Sequence, residues 1–528
     1  MHRNNGSIQR NQRKDWSILV YMAGGKDVSN QARSCLLQMK GIGSTEKFHL
    51  IAQFDSGSEG TATKRYYLTP SQNALRVERL LKRTYKDLDP LDSLLNPTLR
   101  ALSEVNVSSL FLALNDRQRE YLDERIARTE NIEKIRQNPG WINTLILDSI
   151  LCEDIDQEEG YLGQTNAGDP NVLSDFVSWA EANYPADHTA LIIWGHGNGL
   201  SVAWDYPPPQ IAGLSIADQR DSLTAAELGD AFSKRRLNKK IDIIGFNSCL
   251  MGMIEVYYEL KVSAKYCVSS EGLTPKTGWP YFKILSDLNT MSLMAPRDLA
   301  AKICDDYISD WEELLGRTEK IRRQRMGVGK APDLATAIEA SNDMDLVKTR
   351  DLGPEEFQER RGLDISVCEL EKSVGVVEAM QFLVENLQNN LEFGEKNHNH
   401  QMLSEILAAH SVCQSYFNAD YVDLSDFCRT LSSFSEDPEL KENCSKVERA
   451  IKKMCLYRKQ TGEAALNSNG VSIFFPWGDW DDTEVIRRYK DLSFLTDTGW
   501  HIFLIRYRRL VSRVQKAEAA IFAQVGRN

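Results

Sequence analysis

Apolar residues along this chain gather in short continuous runs of strand type, several of which pass into stretches with helical spacing. Trp16–Ala23 is the first run, followed by a helical stretch to about Lys40 and a second strand at His49–Phe54. A turn over 55–60 leads into Arg65–Leu68. Thr189–Trp194 and Ile241–Phe246 read as buried strands, the pattern of a parallel sheet covered on both faces. After the second of these, Met253, Ile254, Val256, Tyr257 and Leu260 are spaced like a helix, and Tyr266–Ser269 is a further short strand. Strands alternating with helices predict an α/β fold, a three-layer α/β/α sandwich around a mostly parallel sheet.

The same pattern divides the chain. Residues 1–14 are polar, charged and without periodicity, so they are expected to be disordered. The α/β unit is expected over 15–285, with an insertion at about 75–160. Between Asp116 and Gln137, the residues Tyr121, Leu122, Ile126, Ile132 and Ile135 are spaced like one side of a charged helix, which predicts a structural cap on the sheet; a regulatory module is the alternative. Ser201–Leu223 holds Pro207, Pro208 and Pro209 and is expected to be an exposed, mobile tether. Thr224 is a predicted N-cap, with Glu227 completing a capping box. The region 286–528 is mainly helical by pattern. It includes a basic loop at Arg317–Lys330, a break near 350–365, a late strand at 470–475 returning to the core, and a final amphipathic helix carrying Trp500, Phe503, Leu504 and Tyr507.

Composition narrows the function classes. The 528 residues are 42% hydrophobic and 26% charged, which suits a globular protein with a sizeable core. A net charge of −12 argues against nucleic acid as a partner. No run approaches the roughly 18 apolar residues of a membrane span, and the polar amino terminus does not resemble a signal peptide. The expectation is a soluble, cytoplasmic chain. Ten cysteines show neither zinc-like nor C-x-x-C spacing, so no metal, cofactor or disulfide framework is expected. The acidic run Glu153–Glu159 lacks the spacing and glycine of a calcium loop.

Two strand ends carry the candidate chemistry. The run at 241–246 leads into Asn247-Ser248-Cys249-Leu250-Met251-Gly252, and the run at 189–194 into Gly195-His196-Gly197-Asn198-Gly199. The carboxyl edge of a parallel sheet is where ligands bind in open α/β folds. A thiol and an imidazole there suit a thiolate nucleophile with a histidine to move protons. A helix following Cys249 at once would present free N–H groups that favour the thiolate. Glycines around His196 allow close approach of backbone to a substrate.

Trp-Gly-His-Gly after one strand and Asn-Ser-Cys-Leu-Met-Gly after the next resemble the clostripain family of cysteine peptidases, part of the larger group that shares the caspase fold. Trp16–Ala23, Lys64–Leu68, Gly168-Asp169-Pro170 with Leu173, Phe176 and Trp179, Tyr421–Leu424 with Phe427, and Gly470–Pro476 resemble other segments of that family. The resemblance implies a cysteine endopeptidase working through a thioester, with His196 and Cys249 as the dyad and the backbone N–H groups of Gly197 and Cys249 as the oxyanion hole. It also implies substrate loops at Ser270–Pro275 and Gly278–Tyr281. Family members that cleave after arginine or lysine carry aspartate two positions before the cysteine. Here Asn247 stands there, beside Ser248, and an amide supplies no charge; Glu271 is the candidate substitute carboxylate. A maturation cut between the histidine and cysteine segments is common in the family, and Arg220 is the candidate point, cut by the protein itself or by an activating protease. The partners expected are a protein or peptide substrate, in an intracellular bacterial regulatory or defence pathway. A catalytically idle scaffold and a peptide acyltransferase are the alternatives.

Overall fold

The computed structural model describes residues 11–57, 62–74, 76–77, 107–137, 141–156, 159–205, 221–233, 240–275, 277–291, 293–325, 362–391, 396–416, 420–462, 465–477 and 489–525. Arg220 and the triple proline lie outside them. The first strand, β1 (Lys14–Ala23), is the centre of the molecule. It is followed by α1 (Gly25–Ile42), β2 (Phe48–Asp55) and β3 (Lys64–Tyr67). The chain is already held before β1: Asn11 N donates to Asn183 O at 3.0 Å and Arg13 pairs with Asp187 at 2.6 Å. Order therefore begins earlier than the polar composition of 11–14 suggested.

Among the described residues beyond 106 come α2 (Val107–Leu112), α3 (Asp116–Ile126), α4 (Thr129–Gln137) and α5 (Trp141–Leu151). The single helix expected over 116–137 is two, because Asn115 caps α3 with a full capping box and the Asn131 amide turns back to donate to Arg125 O at 2.7 Å. These helices own a small core of Leu110, Leu122, Leu145, Ile146 and Ile150, closed by Leu37 of α1. Buried ion pairs, Arg33 with Asp148 at 2.7 Å and Lys40 with Asp154, tie them to α1. Removing one partner of such a pair strands a buried charge and costs about 3–5 kcal/mol.

Next come α6 (Pro170–Asn183), capped by the Asp169 side chain, and β4 (Ala186–Trp194). The two ends of the expected tether are strands, β5 (Ser201–Asp205) and β6 (Asp221–Thr224), paired antiparallel with Val202 and Leu223 buried. Then follow α7 (Ala225–Ser233), β7 (Ile241–Asn247), α8 (Ile254–Glu259), β8 (Ala264–Ser269), α9 (Tyr281–Thr290) and α10 (Pro296–Arg325). The expected capping box forms at α7: Thr224 N reaches Glu227 at 2.9 Å and Glu227 N reaches Thr224 Oγ1 at 3.2 Å. Arg317–Arg325 is the end of α10, not a loop.

The later chain adds strands that helical patterning did not anticipate. After β9 (Leu363–Glu369) come α11 (Ser373–Leu391), α12 (Lys396–Val412), β10 (Ser415–Tyr416), β11 (Tyr421–Asp423), α13 (Leu424–Phe434), α14 (Pro438–Met454), β12 (Cys455–Thr461), β13 (Ser472–Phe474), α15 (Ser493–Thr498) and α16 (Trp500–Val525). The main sheet runs β12-β9-β8-β7-β4-β1-β2-β3. Its middle pairs, from β2 through β8, are parallel, and β3, β9 and β12 close its sides antiparallel. The late strand does not join it; β13 pairs with β11 in a separate small sheet.

Alternation along β1 explains the layers. Ile18, Val20 and Met22 pack with residues of α1, α9 and α10, while Leu19, Tyr21 and Ala23 pack with α6, α7, α8 and α11. A side-chain period of two sends neighbours to opposite faces, so a sheet buried on both must be apolar throughout. Beyond β1 the chain goes outward to β2 on one side and later to β4 on the other. The crevice between β1 and β4 is thus the topological switch point, where ligands bind at the strands' carboxyl ends.

Candidate active site

Strand register brings His196 and Cys249 to the same edge of the sheet. β4 and β7 are parallel neighbours with Trp194 opposite Asn247, so each candidate residue sits at the same step past the sheet edge. Adjacent strands lie about 4.8 Å apart, and the Gly197 backbone closes the gap. A Cβ on Gly197 would lie 2.5 Å from Cys249 O and 3.1 Å from Ser248 Cβ. Both candidate residues are half-buried, reachable yet held.

The histidine loop is shaped by its glycines and by β5. Gly195 adopts φ +145, and a Cβ there would meet Ala23 O at 2.6 Å. Only glycine supplies that backbone at that distance from β1. The chain then doubles back: Ala203 N donates to His196 O at 3.2 Å, and Asn198 Oδ1 accepts from Ser201 N at 2.9 Å and from Ser201 Oγ at 3.0 Å. The tether's first strand is therefore a support of the histidine loop.

The cysteine loop differs from the sequence expectation. α8 starts only at Ile254, with Met253 as its N-cap residue, so Cys249 does not stand at a helix N-terminus. The N–H facing the sulfur comes from the next loop: Thr274 N donates to Cys249 Sγ at 3.3 Å. Thr274 Oγ1 also donates to Ser248 O at 3.2 Å, while Leu250 N and Gly252 N donate to Gly272 O and Ser270 O at 2.9 and 2.8 Å. The Thr274 residue faces the sulfur with its N–H and, at 3.7 Å, with its carbonyl oxygen as well; of the two, the N–H is the contact that a thiolate keeps and strengthens. Leu250 is buried at φ +64, an uncommon conformation for a branched side chain that is kept only where surroundings fix it. Thr274 lay within a loop marked in the sequence as substrate-facing, yet no local pattern singled it out.

The three side chains assigned to substrate recognition are all buried. Asn247 is 3% exposed, and its side-chain oxygen accepts from Trp279 N at 3.0 Å, Tyr281 Oη at 3.0 Å and Trp194 Nε1 at 3.3 Å. Burial holds the Tyr281 phenol protonated and fit to donate. Ser248 turns inward, its hydroxyl 3.4 Å from Ile193 O. Glu271 is fully buried, accepts from Gly470 N at 2.6 Å, and is pushed up by burial and by Asp423 and Asp364. Its carboxyl is committed to the protein interior, so it is not the charge that would meet a basic substrate. That expectation assigned a solvent-facing role to a residue whose partners lie far along the chain.

Among the described residues, no cluster of His, Cys, Asp and Glu is arranged to hold a metal ion, and all ten cysteines are free thiols. No described helix is long and apolar enough to cross a membrane.

Comparison with known proteins bears on the family and the fold. Residues 134–324, which carry β4, β7 and both candidate residues, match the model of the clostripain family. Clostripain of Hathewaya histolytica is 24% identical over 345 residues, covering 60% of this chain; the chain spans 58% of that relative's length. Among solved structures, a secreted cysteine protease from Bacteroides thetaiotaomicron, in complex with an irreversible peptide inhibitor, superposes with a TM-score of 0.50 at 14% identity. That match covers 92% of this chain and 99% of the other. The fold is accordingly the caspase-like one, and the resemblance to the clostripain family drawn from the sequence is borne out.

Proposed function

We propose that this chain, whose segment 134–324 is of the clostripain family, is a cysteine endopeptidase. In this reading the Cys249 thiolate attacks a peptide carbonyl to form a thioester, and His196 protonates the leaving amine and then activates the hydrolytic water. The backbone N–H groups of Gly197 and Cys249 receive the oxyanion, a role worth about 10²–10³ in rate per donor. The observation that carries the reading is the β4–β7 register, with matching steps beyond Trp194 and Asn247 and the Gly197 backbone against Cys249. It is tested by turnover of a quenched peptide library with wild type and Cys249→Ala. Loss of all cleavage in the variant is the expected result, and cleavage at the wild-type rate would overturn the assignment.

Finer features belong to the same proposal. Arginine or lysine is preferred on the acyl side, supported by the net charge of −12 and by the resemblance of the two motifs to those of family members that cleave after basic residues. The three donors on the Asn247 oxygen can satisfy it without a carboxylate, so the preference rests on the field of the whole chain. The protein is made as a zymogen and cut between β5 and β6, where Arg220 offers a basic residue. The two products stay together, because β4 and β7 share one sheet. In the same proposal its setting is an intracellular bacterial regulatory or defence pathway, by analogy with roles this fold often serves.

A further inference from the structure

The segment touching the Cys249 sulfur has no regular structure of its own between Ser270 and Pro275, so something else must fix it. Beneath it lie three fully or almost fully buried carboxyls brought from three parts of the chain: Glu271, Asp364 at the start of β9, and Asp423 at the end of β11. Asp364 accepts from two consecutive backbone N–H groups, one per oxygen: Glu271 N at 2.7 Å and Gly272 N at 2.9 Å. Glu271 reaches away from the nucleophile to accept from Gly470 N, and its carboxyl faces that of Asp423. Asp423 is occupied on its other sides by Asp426 N at 2.7 Å, Asn469 Nδ2 at 3.1 Å and Asn469 N.

We propose that Asp364 and the Glu271–Asp423 pair are positioning residues that hold segment 270–274 against Cys249, joining the nucleophile's N–H donor to the C-terminal third of the chain. The inference rests on the reading of Cys249 as the nucleophile. Its route is continuous: Cys249 Sγ, Thr274 N, the loop backbone, then Asp364 on one side and Gly470 with Asp423 on the other.

The chemistry of the cluster separates its members. Two carboxyls in contact away from water cannot both ionise. Glu271, raised by burial and by Asp423 and Asp364, keeps the proton and donates it to Asp423. Asp364 is raised by burial, but each of its oxygens accepts a backbone N–H, Glu271 N and Gly272 N, the arrangement of a carboxylate in a backbone cradle. Other titratable groups feel the cluster: Tyr416 from β10, Cys304 from α10 and Cys413 are raised by burial, Cys428 is raised by its contact with Cys444 and by burial, and Cys455 is lowered by its contact with Cys368. Near-isosteric changes should therefore act oppositely. An amide at 364 turns a donor toward one of the two N–H groups and loses that bond. An amide at 271 reproduces the protonated acid, accepting from Gly470 N and donating to Asp423.

The experiment compares Asp364→Asn, Glu271→Ala and Glu271→Gln in the full chain. It reads the second-order rate of Cys249 alkylation by iodoacetamide across pH, kcat and KM on a peptide substrate, and the thermal midpoint. Asp364→Asn and Glu271→Ala are expected to lower alkylation and kcat at least tenfold at neutral pH with KM within threefold, and to move the alkylation profile to higher pH. Glu271→Gln should recover most of what Glu271→Ala loses. Wild-type alkylation and kcat in a folded Asp364→Asn protein would overturn the proposal, as would Glu271→Gln proving as defective as Glu271→Ala. Should Asp364→Asn not fold, the Glu271 pair decides alone. Alkylation needs no peptidase activity, so a wild type that alkylates normally yet cleaves nothing would count against the endopeptidase reading and leave the positioning result to stand by itself.

Discussion

Replacing Gly197 by alanine is a test that adds one carbon at the point where the two candidate loops touch. The backbone of Gly197 lies outside the left-handed region, so alanine meets no dihedral penalty there. Contact alone sets the effect. The new Cβ would stand 2.5 Å from Cys249 O, 3.1 Å from Ser248 Cβ and 3.3 Å from Met251 Cγ, where ordinary contact begins at 3.4 Å. Met251 is flexible and can yield, but Cys249 O is backbone, fixed by its neighbours in the turn. The loops must separate by most of the missing 0.9 Å. Overpacking of this kind costs about 1–3 kcal/mol, a few degrees of thermal midpoint in a chain this large. A displacement near 1 Å of catalytic groups costs about 10²-fold in rate. Gly197→Ala should thus remain folded while kcat/KM on a peptide substrate falls about a hundredfold, measured alongside thermal unfolding. Activity within threefold of wild type would refute the claim that His196 and Cys249 act across this contact.

Glu255 gives a stability prediction that does not depend on the reaction. It is fully buried, accepts from Phe474 N at 2.9 Å and Tyr489 Oη at 3.0 Å, and is pushed up to about 7 by burial. A carboxyl raised on folding adds stability that is complete below its unfolded value and is lost as pH rises through about 7. That difference amounts to about 3 kcal/mol. Glu255→Gln should flatten the fall in thermal midpoint between about pH 4.5 and 7, and an unchanged slope there would show that Glu255 is not the titrating group. At Asn247, aspartate would keep the three donors and add a charge, so Asn247→Asp should raise kcat/KM at least tenfold for substrates with arginine on the acyl side over those with leucine. Equal gains on both would remove the argument for a cation-accepting pocket. Incubated wild type should acquire new termini between Asp205 and Asp221, found by mass spectrometry, and Arg220→Ala should delay them; full activity from an uncut chain would end the zymogen proposal.

The parts of the molecule legible in the sequence are those built from neighbours in the chain. Thr189–Trp194 and Ile241–Phe246 are apolar runs because both faces of β4 and β7 are covered, and their ends are marked by His196 and Cys249. The Thr224–Glu227 cap is a local bond between nearby residues, and it forms as expected. What escaped is settled by distant partners. β12 is an edge strand with Arg458 and Lys459 exposed, a composition that protects an open edge and does not read as sheet. β9 buries two polar residues, Asp364 and Ser366, between its apolar ones. Glu271 looked like a loop carboxylate facing solvent, but Gly470, Asp423 and Asp364 enclose it. The two ends of the proline-rich tether did not read as strands because each is only a few residues long and they pair with each other. Thr274 reaches Cys249 Sγ through a backbone N–H, which every residue but proline possesses, so its identity carries no signal.

The central claim is that Cys249 is the nucleophile of a peptidase, and one measurement addresses it without a known substrate. The intact protein is treated with a peptide bearing a thiol-directed electrophile in place of the scissile bond, and the modified residue is mapped by mass spectrometry. The account predicts a single label per chain, on Cys249 and on none of the other nine cysteines, with the rate falling sharply in His196→Ala. Labelling spread over several cysteines, or label confined to a cysteine other than Cys249, would contradict it.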